Sequence, residues 1–252
     1  MPAHATDFTW FEERYPDLAE AYCLTQVQGI SADELLRRFD AVPGRSVTGL
    51  AAVVEAWETF DDGEDEHAPD GDEDLMLVAV TEFDGWAVAV EVNGYLGSLW
   101  DALPRLAEGT RLVSHFRNCN AVDSFHWQER AVNRLYFEPL FPTQRHGEDA
   151  EAPGMAELLA HCGFDLTDEE HAGADSGVDA DPGVDAGADA DSVAGSDAGS
   201  VAGSDAGSDA VEARPRLHTE AAFALAERLT DVRLTPERLD AAGFRLGYAP
   251  VP

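Results

Sequence analysis

The sequence predicts an α+β fold: a largely antiparallel sheet flanked by N-terminal and C-terminal helices, with a long disordered internal insertion. Three observations predict it. Val-rich runs at 75–83 and 86–92 meet at Asp84-Gly85, the strongest short hairpin signal. Capped, helix-periodic segments gather before residue 61 and after residue 217. Between sheet and last helices, residues 172–211 hold only Ala, Gly, Asp, Ser, Val and one Pro, including the octapeptide Val193–Ser200 repeated as Val201–Ser208. No side chain there is large enough to offset the entropy of ordering the segment. The expected organisation is a main domain over 1–171 with an acidic loop at 61–74, a tether over 172–211, and a C-terminal helical segment over 212–252 that docks on the main domain.

The elements follow in order. Asp7 can cap a short helix bearing Phe8, Trp10 and Phe11, and after Pro16 a second helix is expected from about Asp17 to Gln28, ended by Gly29. Ser31 and Glu34 form a capping box for a helix through Phe39, and Pro43-Gly44 then breaks the chain. Thr48 is the expected cap of a helix whose Leu50, Val53, Val54 and Trp57 make one apolar stripe. Beyond the hairpin, Asn93-Gly94 makes a turn and Ser98–Leu106 a short helix that Pro104 must kink or split. Strands are expected at about 110–118, 123–130 and 132–138, closed by Pro139 and Pro142. A helix over Met155–Cys162 stops at Gly163. Thr219 caps a helix through Leu229, and Thr235-Pro236 opens the last one. The apolar set of the C-terminal segment, with Phe223, Leu225, Leu229 and Phe244, needs a surface to bury against, and the N-terminal layer around Leu18, Tyr22, Leu35 and Phe39 is the expected one.

Formal net charge is −34, with all sixteen cations Arg and no Lys. The tether and the 61–74 loop each carry nine acids, and without them the remaining 198 residues have a net charge of −16. Such a chain repels nucleic acid and anionic membranes. The absence of Lys excludes a lysine Schiff base, a Walker A loop and the ordinary kinase site. Three scattered cysteines, Cys23, Cys119 and Cys162, read as reduced thiols. With no signal-peptide pattern and no apolar run long enough to span a bilayer, a cytoplasmic location is expected.

No strong chemical motif is present. Asp70, Asp72 and Asp74 have the first spacings of an EF-hand loop, but Leu75 stands where Gly is required, so no metal or other cofactor is expected. His115 and His126 are the histidines on expected strands. Their polar faces could line a cleft with Arg117, and with Asn118 and Asn120 at its mouth; plain alternation would instead make them a solvated sheet face. A zinc site from His115, Cys119 and His126 lacks any supporting spacing. The five Trp, Trp100 among them, read as core.

The run Leu18-Ala19-Glu20-Ala21-Tyr22-Cys23-Leu24-Thr25 with Gly29, Leu35 and Arg37-Arg38 resembles the opening of a family of uncharacterised proteins, a domain of unknown function from high-GC Gram-positive bacteria. Trp86, Val88, Glu91, Asn93-Gly94 and Gly97 resemble its central strand and turn, and Ala224–Thr230 with Leu234–Glu237 its end. The resemblance implies one domain with a C-terminal helical part and carries no catalytic residue with it. The functional expectation is therefore a non-catalytic protein-binding, regulatory or immunity-type module with a basic protein partner. The alternative is a small-molecule binder or hydrolase using His115, Arg117, His126 and the nearby Asn side chains.

Overall fold

A computed structural model describes residues 2–69, 74–167 and 217–252. The tether and its repeat, with Asp70 and Asp72, lie outside the described residues. Residues Met1–Glu169 and Leu217–Pro252 make one compact unit. Its centre is an eight-stranded antiparallel sheet with helices on both faces.

In chain order, α1 (Trp10–Arg14) and α2 (Pro16–Glu20) lead into β1 (Tyr22–Gln28), α3 (Ala32–Arg38), β2 (Val42–Thr48) and α4 (Leu50–Asp61). The hairpin of β3 (Leu75–Phe83) and β4 (Trp86–Val92) follows, then a 3₁₀ turn at Leu96–Ser98 and α5 (Leu103–Leu106). After these come β5 (Arg111–Arg117), β6 (Asp123–Glu129), β7 (Val132–Phe137) and α6 (Met155–Cys162), and finally α7 (His218–Thr230), α8 (Pro236–Ala241) and β8 (Gly243–Pro250). Strand order is β2-β8-β3-β4-β1-β5-β6-β7. The hairpin turn takes the left-handed conformations that Asp-Gly supplies, with φ of 52° at Asp84 and 81° at Gly85.

Several local expectations are corrected. The helix expected through Gln28 ends at Glu20, and Tyr22–Gln28 is a central strand. Covered on both faces, that strand is buried from Tyr22 to Val27 and shows no alternation of exposure, and it carries Thr25 and Gln26 among its buried residues, so no apolar period marks it as a strand. Pro43-Gly44 does not break the chain but lies in edge strand β2, where the missing N–H of proline is tolerated, and the ladder with β8 shifts register between Pro43 and Ser46. The C-terminal part is not all helical, because its last element, β8, pairs with both β2 and β3. Pro104 sits in the first turn of α5, where its missing N–H costs nothing, and so neither kinks nor splits a longer helix. Gly49, not Thr48, precedes α4: its φ is 86°, and a Cβ there would lie 2.9 Å from the Asp240 carbonyl oxygen.

Two cores result. One lies between the sheet and α1, α2, α4, α6, α7 and α8, and holds Leu18, Tyr22, Leu24, Val113, Phe125 and Phe223. The other lies under α3, α5 and the 3₁₀ turn, and holds Val27, Leu35, Leu36, Phe39 and Leu112. The C-terminal helix α7 therefore shares a core with Leu18 and Tyr22, while Leu35 and Phe39 pack on the opposite side of the sheet.

Candidate functional site

The ladder between β5 and β6 decides what the two strand histidines can do. His115 pairs with Phe125, and Ser114 pairs with His126. Directly paired residues share a face, so His115 faces the α7 core and His126 faces the other side. The imidazoles do not line one cleft, and neither is a solvated sheet residue, since each is 1% exposed. His115 Nδ1 lies 3.0 Å from the Tyr22 hydroxyl, and its ring meets Phe223 edge-on at 4.5 Å. His126 Nε2 lies 3.2 Å from Ser124 Oγ. Burial pushes both pKa values down to about 3, which keeps both rings neutral. Burial holds the Tyr22 hydroxyl in its protonated form beside His115 Nδ1, and His115 Nε2 has no hydrogen-bond partner among the described residues.

Arg117 lies on the His115 side and donates from Nη1 to Thr219 Oγ1 of α7 at 2.8 Å. The hydroxyl expected to cap α7 thus ties that helix to β5, and no side chain caps the helix start. Across the ladder from Arg117, the Asp123 carboxylate lies 3.0 Å from His218 Nε2. Asn118 shapes the turn that follows, its Oδ1 accepting the N–H groups of Asn120 at 2.9 Å and Val122 at 3.0 Å. Asn120 and Cys119 are exposed on that turn.

The sequence did not mark what stands beside them. Trp100, read as core, is 51% exposed, and its ring braces edge-on against His126 at 5.1 Å and Tyr136 at 4.8 Å. Val122, in the β5–β6 turn, is 51% exposed, and Phe141, in the turn after β7, is 45% exposed. Because Phe125 pairs with Phe137, the end of β7 lies beside the start of β6, so Val122 and Phe141 belong to the same end of the sheet. The one signal for Trp100 in the sequence is Asp101 on its C-terminal side, which Leu99 on the other side offsets.

The segment that delivers Trp100 is held by a buried carboxylate. Glu91 is 0% exposed and accepts the N–H groups of Leu96 at 2.7 Å and Gly97 at 2.9 Å. Burial raises its pKa to about 7, although the two N–H groups pull the other way. Thr25, Ser114 and Cys23 complete this polar seam, with Thr25 Oγ1 3.0 Å from Ser114 Oγ. The thiols of Cys23 and Cys162 are buried, and desolvation lifts Cys23 well above the usual range and Cys162 to about 12. Among the described residues no group of three or more His, Cys, Asp or Glu could hold a metal ion. The described part of the acidic loop is pinned to the core, with Asp65 accepting the Tyr248 hydroxyl at 2.6 Å. No helix of the described residues is long and apolar enough to cross a membrane.

A family model described as a family of unknown function (DUF6461) matches residues 1–189 and 178–252. No curated protein and no solved structure matches the chain.

Proposed function

Because the chain belongs to this family of unknown function, its role has to come from its own surface, and we propose that it is a non-catalytic protein-binding module of regulatory or immunity type. The observation that carries this reading is the gathering of exposed Trp100, Val122 and Phe141 toward the β5–β6 turn end of the sheet. Exposed apolar side chains grouped in one place mark contact surfaces, and a braced aromatic ring offers contact area at little entropic cost. A net charge of −34 steers and favours a basic partner. His115 and His126, neutral and on opposite faces, suit a scaffold better than a reaction centre. Three unpaired cysteines fit a reducing, cytoplasmic setting.

A photo-crosslinking residue placed at Val122 tests this. In native lysate it captures a basic protein, and the adduct fades with added salt and with Trp100→Ala combined with Phe141→Ala. Equal capture from Val42, an equally exposed residue on edge strand β2, would overturn the reading.

A further inference from the structure

At the opposite end of β5–β7 a cavity of about 460 Å³ is lined by Gln28, Thr110, Arg111, Arg130, Val132 and Arg134, with Gly109 and Glu129 completing its wall. Its volume lies within the range of about 300–1,000 Å³ usual for small-molecule sites. Three of the chain's sixteen cations converge here in a molecule of net charge −34. We propose that this cavity binds a small ligand through its phosphate or carboxylate group.

Two of the guanidiniums are held in place before any ligand arrives. Arg111 donates from Nε to Glu129 at 2.8 Å and from Nη1 to the Leu229 carbonyl at 3.2 Å. Arg134 donates from Nε to Asp149 at 2.6 Å and from Nη1 to Glu148 at 2.7 Å, which leaves Nη2 without a protein partner among the described residues. The third is held back for nothing in the protein: Arg130 makes no side-chain hydrogen bond or ion pair among the described residues. It stands in the β6–β7 turn, where Arg130 and Ala131 have φ of 50° and 65°. Gly and Asn relieve such turns, and a long cationic side chain in that conformation carries a cost that the turn itself does not need. An oxyanion seated between Arg130 and the free edge of Arg134 receives charge-assisted hydrogen bonds from both, and Val132 supplies an apolar flank for the remainder of the ligand.

The test is calorimetric titration of the full chain with pyrophosphate and, separately, with succinate at low ionic strength. Saturable binding is expected for at least one, and which of them binds tells phosphate from carboxylate recognition. Arg130→Gly removes the guanidinium while relaxing the turn, so its fold is kept, and binding weakens by about tenfold or more. Arg134→Gln weakens it by a similar factor, whereas Trp100→Ala at the far end leaves it unchanged. Absence of saturable heat for both anions at 10 mM, roughly the weakest affinity of use for such a site, overturns the proposal. So does unaltered binding by Arg130→Gly.

Discussion

The rings of Phe223 and His115 meet edge-on with centroids 4.5 Å apart, and Phe11 lies at the same distance from Phe223 on its other contacts. One side chain of α7 thus joins the N-terminal helices to β5, across the long stretch of sequence that separates them. Phe223→Ala should destabilise the whole unit by about 3–5 kcal/mol, as truncation of a buried aromatic does. Denaturant midpoints measured by both fluorescence and circular dichroism should shift together. A loss confined to part of the signal would mean that α7 melts separately.

Acid should unfold the protein through its two buried imidazoles. Each has a folded pKa of about 3 against an ordinary value of 6.5. The unfolded chain binds a proton at each site first, so their stabilisation is full above 6.5 and is lost as pH falls from there toward 3. Each contributes a slope of about 1.4 kcal/mol per pH unit in that window. Urea midpoints across the window measure it, and His126→Phe should remove one proton's worth of the slope.

Glu91 acts with the opposite sign. Its folded pKa of about 7 lies above the ordinary 4.5, so its contribution is full below 4.5 and is lost as pH rises to 7. Glu91→Gln cannot ionise, and relative to the parent it should gain up to about 3 kcal/mol between those limits. Parallel urea titrations of the two proteins at pH 4.5 and 8 provide the check. A constant difference would show that Glu91 is not desolvated in solution.

Gly97 has no room to become anything else. A Cβ there would lie 2.0 Å from Thr25 Oγ1, and 3.0 Å from Glu91 Oε1. Gly97→Ala should cost about 1–3 kcal/mol, and by displacing the turn it should also change the emission of Trp100. Gly29, where a Cβ meets nothing within 4 Å, is a useful contrast, although its φ of 71° still favours glycine.

Tyr248→Phe removes the hydroxyl that Asp65 accepts at 2.6 Å. A loss of about 1.5–3 kcal/mol is expected, typical of a hydrogen bond to a charged group. Limited proteolysis should then cut first near 63–69, where the loop has lost its anchor. Unchanged cleavage would show that Asp65 is held by its other contacts, including the N–H of His67 at 3.0 Å.

Some local signals in the sequence hold in the structure, while the caps expected at Thr48 and Thr219 do not form. Asp84-Gly85 makes the β3–β4 hairpin, Ser31 Oγ accepts the Glu34 N–H at 3.2 Å, and Gly163 ends α6 in the left-handed conformation. What escaped was non-local. β1 is buried on both faces and carries no period of two, and β8 owes its place to partners at 42–48 and 75–80 that no local pattern announces. The same holds for the site. Alternation along β5 and along β6 was legible, but only the ladder, with Ser114 opposite His126, says that the two histidines point apart. The exposure of Trp100 depends on how the 95–103 segment lies over β6 and β7, and a tryptophan beside Leu99 looks like core until that is known.

The place of β8 also governs how the chain is made. β3 waits for a neighbour that is synthesised only after α8, and β2 has its ladder partner in the same late strand. At about 5–20 residues per second, a ribosome needs roughly ten seconds or more to travel from β3 to β8. Through that interval the backbone edge of β3 that β8 will pair with, from Leu75 to Val80, is a free edge that any other extended chain can pair with. Vectorial synthesis therefore leaves this gap in the sheet to be closed by the strand that is made last.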